Sequence, residues 1–239
     1  MPDSRKPLAR PSADVPATRD DVDGFLDRIR SAPAPSATGR RGRLIFALDA
    51  TASRQPTWDR AASLQADMFA TAAATGSLDV QLAYYRGHAE CRASPWTADA
   101  DRVVGWMGRI DCRAGRTQIA RILEHGNAEA RKAPVQALVF VGDVVEEDVD
   151  RLGDLAGQSK LLGLPVFVFQ EGGDRSASYA FGQIASISGG AHCRFDASSA
   201  SRLGELLNAV AAWATGGREA LARLGTRSRE AALLLEQLS

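Results

Sequence analysis

The sequence predicts a doubly wound α/β domain with a mainly parallel central sheet, one antiparallel edge strand and helices on both faces. Three observations carry this expectation. Leu44-Ile45-Phe46-Ala47-Leu48, Ala137-Leu138-Val139-Phe140-Val141 and Val166-Phe167-Val168-Phe169 are apolar at every position, as strands covered on both faces are. Amphipathic stretches separate these runs, so strands alternate with helices and pair in parallel through right-handed crossovers. The 239 residues, 45% hydrophobic and 24% charged, suffice for one core with tails.

The elements follow in order. Residues 1–40 hold six of the ten prolines, mixed with Ser, Ala, Asp and Arg, a composition that buries little, and are expected to be a flexible segment. Within them Val22, Phe25, Leu26 and Ile29 recur at helical spacing, which suits a short helix docking on the domain itself. The domain spans 41–214 and opens on the strand at Leu44–Leu48. Pro56 fits the first turn of the next helix, whose apolar face runs through Ala61, Leu64, Met68 and Ala72 to Gly76. Leu78, Val80, Leu82 and Tyr84 alternate with Asp79, Gln81 and Ala83 as a strand does, and Gly87 turns it into an antiparallel partner around Ala89–Arg92.

Residues 99–109 and 117–131 read as helices, ahead of the strand ending at Gly142-Asp143. Helix 147–162 presents Val149, Leu152, Leu155 and Ala156, and Gly163 with Pro165 stops it before the strand at Val166. A helix over 176–188 and an edge strand over Ala191–Phe195 follow. Leu203, Leu206, Leu207, Val210 and Trp213 form one helical stripe, and after Gly216-Gly217 residues 215–239 make a helical extension, with core packing the expected use of its leucines.

Composition narrows the function. Twenty-nine basic residues balance 29 acidic ones, so no nucleic-acid partner is expected and binding falls to a local site. The N-terminus lacks the apolar stretch of a signal peptide and no run is long enough to span a bilayer, which predicts a cytoplasmic protein with no membrane insertion. Cys91, Cys112 and Cys193 are widely spaced and read as reduced thiols. His88, His125 and His192 each stand alone, in surface or core roles. No phosphate-binding glycine loop, dinucleotide fingerprint or serine elbow follows a strand.

Chemistry gathers after the first strand. Asp49, Thr51 and Ser53, spaced by two, can turn three side-chain oxygens from one bent loop toward a single point. A carboxylate with two hydroxyls is a hard-oxygen set, suited to magnesium, manganese or calcium rather than zinc or copper. Further oxygens must come from the same sheet edge, and Asp143 ends a strand expected beside the first. Asp, Ser and Thr at a strand end also cap helices, the plainer use of the same residues.

Here the sequence resembles the von Willebrand factor type A family, in its bacterial intracellular form, with a metal-ion-dependent adhesion site of pattern D-x-S-x-S, then Thr, then Asp. The stretches that carry the resemblance are Leu44 to Ser53, Ala114-Gly115-Arg116-Thr117-Gln118-Ile119 and Val139-Phe140-Val141-Gly142-Asp143, within residues 43–213. The resemblance implies that Thr51 and Ser53 bind the metal directly, Asp49 and Asp143 hold its waters, and Thr117 is a conditional ligand. It also implies a non-catalytic module in which an Asp or Glu of another protein completes the shell. Thr51 stands where the family has Ser, Arg116 where it often has glycine, and Val144 where Gly is frequent. An alternative from another class is a metal-dependent phosphohydrolase of haloacid-dehalogenase type with Asp49 as nucleophile. That chemistry uses a second Asp two residues on, where this chain has Thr51.

Overall fold

A computed structural model describes residues 41–54, 78–195, 209–211 and 214 of the chain. The expected helices over 20–30 and 56–76, the extension over 215–239 and most of the 203–213 stripe lie outside the described residues.

Six strands form one sheet: β1 (Gly42–Asp49), β2 (Leu78–Arg86), β3 (Glu90–Ala93), β4 (Ala137–Gly142), β5 (Val166–Glu171) and β6 (His192–Phe195). The spatial order is β3-β2-β1-β4-β5-β6, with every pair parallel except β2 with β3. The antiparallel edge strand therefore stands where the sequence placed it. Gly87, at φ 59, makes the turn into it, a left-handed conformation that glycine adopts without steric penalty.

Alternate residues of β1, β2, β4 and β5 feed two cores. Leu44, Phe46 and Leu48 of β1, with Val139, Val141, Phe167 and Phe169, face α1 (Ala100–Met107) and the buried helical residues Ala209, Val210, Ala211 and Ala214. Ile45 and Ala47, with Leu138, Phe140, Val166 and Val168, face α2 (Ile119–Lys132), α3 (Val149–Leu161) and α4 (Arg175–Ser188). Two covered faces are why the strand runs are apolar throughout.

β2 follows the same alternation but carries a polar residue on a covered face. Gln81 is 5% exposed, yet its amide donates to the Ser94 carbonyl oxygen at 2.9 Å and its Oε1 meets His125 Nε2 of α2 at 2.8 Å. A buried amide with both ends satisfied carries little desolvation penalty.

The sheet order reverses between β1 and β4. Connections leave these neighbours in opposite directions, opening a crevice at their carboxyl ends, where doubly wound sheets bind ligands. The register pairs Leu48 with Val141, so Asp49 stands beside Gly142, with Asp143 one residue further.

Candidate functional site

Asp49 is the last residue of β1 and is fully buried. Its Oδ1 accepts the Thr51 backbone N–H at 2.7 Å, which bends the chain out of the strand, and its Oδ2 accepts the Tyr85 hydroxyl at 2.8 Å. Burial pushes its carboxyl up to about 6, against the opposing pull of those donors. The same burial, together with the Asp49 charge, holds the Tyr85 hydroxyl well above its ordinary range.

The bend aligns two hydroxyls. Thr51 Oγ1 and Ser53 Oγ lie 3.0 Å apart, Thr51 buried and Ser53 exposed within the 3-10 turn Ala52–Arg54. An exposed hydroxyl beside a buried one gives the pair an opening to solvent. Across the crevice Asp143 is half-buried, and its Oδ1 is sealed from solvent with no hydrogen-bond partner among the described residues. Its charge raises the Asp49 carboxyl further.

Thr117 comes from the loop before α2. That loop joins β1 by pairing beside Thr51, where the Arg113 N–H donates to the Ala50 carbonyl oxygen at 3.0 Å. At Gly115 it touches the backbone of Gly87, where a side chain would collide with main chain. Thr117 lies just ahead of α2 rather than within it, and the acidic run after β4 holds it there. Glu146 accepts the Thr117 N–H at 3.0 Å, while the Glu146 N–H donates to Thr117 Oγ1 at 3.1 Å.

The acidic run divides its work among three places. Glu147 accepts the first N–H groups of α2, Ile119 at 2.5 Å and Ala120 at 2.9 Å. Asp148 caps its own helix through the Asp150 and Arg151 amides. Acidic residues at a helix start ordinarily offset the dipole of their own helix, as Asp148 does here. Capping of a different helix needs the β4 and α2 ends side by side, which no local pattern reveals.

Sequence reasoning also passed over Arg54. Arg116, singled out for its position beside Thr117, is exposed. The buried cation is Arg54, 1% exposed, directly after the hydroxyl pair. It forms an ion pair with Glu171 at the end of β5 and feels the charges of Asp49 and Asp143, while burial lowers its own proton affinity. A charged residue directly following a loop of small polar ones was the available signal. Cys112 lies in the same field, its thiol pushed up to about 11 by burial, so it is a neutral thiol rather than a thiolate ligand for soft metals.

Three loops at the carboxyl ends of the strands thus carry the predicted residues. The hydroxyl pair and the buried, unmatched Asp143 oxygen fit a hard divalent cation. Thr51 and Ser53 are the residues that would hold it, with Asp49, Asp143 and Thr117 around them. Such an ion would supply a charge that draws in a carboxylate.

This architecture is the von Willebrand factor type A fold. The SpRpn10 VWA domain superposes with a TM-score of 0.56 at 12% identity, over 72% of this chain and 94% of that one. An aerotolerance-related membrane protein from Bacteroides fragilis superposes with a TM-score of 0.53 at 19% identity, over 70% and 98%. The pilus adhesin SpaC from Lactobacillus rhamnosus GG gives 0.57 at 10% identity over 80% of this chain, which matches 32% of the adhesin. No protein-family model matches the sequence, and no curated protein does.

Proposed function

We propose that this chain is a protein-interaction module that uses a divalent cation, magnesium with manganese or calcium as substitutes, to capture an Asp or Glu side chain of a partner protein. One observation carries the reading: the Thr51 and Ser53 hydroxyls stand 3.0 Å apart at the crevice mouth, with a buried Asp143 oxygen opposite that has no partner among the described residues. Neutral hydroxyls leave a cation's charge poorly compensated, so an acidic ligand from outside is attracted to complete its shell. Asp49 supports binding rather than chemistry. Both its oxygens already accept hydrogen bonds and it is sealed from solvent, so a nucleophilic role would first have to break them.

Calorimetric titration of the metal-free chain with magnesium or manganese tests the reading. Binding is expected to weaken at least tenfold in Ser53→Ala, which deletes one exposed hydroxyl. Absence of binding to the wild type, or equal binding in the variant, rejects it. Retention of a native partner in magnesium but not in EDTA tests the second half.

A further inference from the structure

Arg54 occupies an unusual place for a surface-loop residue. It sits one position beyond Ser53, is 1% exposed, and reaches Glu171 at the end of β5. In the sheet order β4 lies between β1 and β5, so its side chain passes over the carboxyl end of β4, where Asp143 begins the next loop. Its guanidinium interacts electrostatically with Asp49, Asp143 and Glu171 together. When all are ionised, three carboxylates and one guanidinium leave two formal negative charges, matching a divalent cation. The guanidinium is nevertheless fixed by a covalent tether in the same field, and like charges in a poorly solvated site repel strongly.

We propose that Arg54 is a tethered competing cation, which holds the affinity of the Thr51–Ser53 site for divalent metal low while its pairing with Glu171 keeps the guanidinium from filling the site altogether. This rests on the metal reading above and adds a determinant of affinity to it. Arg54 supplies the cluster with one positive charge while no metal is bound, and a metal must enter against that charge. Its removal leaves the carboxylates uncompensated, which destabilises the metal-free chain and strengthens the pull on a cation.

The full chain carrying Arg54→Met or Arg54→Gln tests this, by magnesium and manganese calorimetry and by melting temperature with and without metal. The variants are expected to melt below wild type without metal, to gain a larger metal-induced rise, and to bind roughly tenfold or more tightly. Arg54→Lys, which keeps the charge, should stay near wild type. The double variant R54Q/E171Q keeps the cluster's net charge and does not strand Glu171, so it serves where the single variants do not fold. Its affinity should also exceed wild type, through loss of the nearby guanidinium.

Equal or weaker metal binding in the folded variants overturns the proposal. If the wild type binds metal and no variant gains, the Arg54 inference fails while the metal reading stands. If only the variants bind, the inference holds and metal dependence of the wild type fails. Absence of binding in all of them rejects both.

Discussion

Tyr85 and Asp49 form the best-defined pair at the site, a buried hydroxyl donating to a buried carboxylate at 2.8 Å. Tyr85→Phe leaves that oxygen without its donor and should lower unfolding free energy by about 1–3 kcal/mol, read by urea denaturation. Asp49 also sets a pH dependence. Its folded carboxyl, raised chiefly by burial to about 6 against an ordinary 3.8, holds its proton more tightly than the unfolded chain does. The stabilisation from this proton is therefore present below the unfolded value and lost as pH rises through the folded one, about 3 kcal/mol in all. In EDTA, Asp49→Asn should be more stable than wild type at about pH 7, with the advantage gone at about pH 4; a gap that ignores pH refutes this linkage. Such effects were only partly legible. Spacing marked Asp49, Thr51 and Ser53, a strand end marked Asp143, and the family resemblance added Thr117 as candidate oxygen ligands, whereas Tyr85 and Arg54 act through contacts between strands that are distant in sequence.

At the scale of elements, α2 depends on a neighbour. Gln118 precedes it without a side-chain capping bond, and Glu147 from the loop after β4 takes the first amides instead. Glu147→Ala should cost about 1 kcal/mol and speed hydrogen exchange at the Ile119 and Ala120 amides, with the Asp148-capped start of α3 unaffected. Equal protection at Ile119 and Ala120 in the variant would assign the cap elsewhere. Strands and helices were readable because each carries its own period. Alternation over Leu78–Tyr84 marks the strand that forms over Leu78–Arg86, yet it carries no sign that Gln81 is buried, since that needs His125 from a helix more than forty residues later to satisfy it. The helix expected over 176–188 forms over Arg175–Ser188, opened by Asp174 and closed by Gly189 at φ 82, both local signals.

For the molecule as a whole, the sheet order decides where any site can be. The two loops flanking the β1–β4 reversal carry Asp49 to Arg54 and Asp143 to Asp148, and pairing beside Thr51 draws the Thr117 loop to them. Alternating strands and helices predict such a reversal, although the distances across it come only from packing. No helix among the described residues is long and apolar enough to cross a membrane. The 143–148 loop stands beside the crevice, and Glu146 and Glu147 grip Thr117, Ile119 and Ala120 from it. The loop is clasped to the front end of a fourteen-residue rod, about 20 Å long, lying on the sheet. The other end of that rod reaches Ala133, whose carbonyl oxygen accepts from Arg43 at the start of β1, so the 143–148 loop is tied through one helix to the opposite end of the sheet.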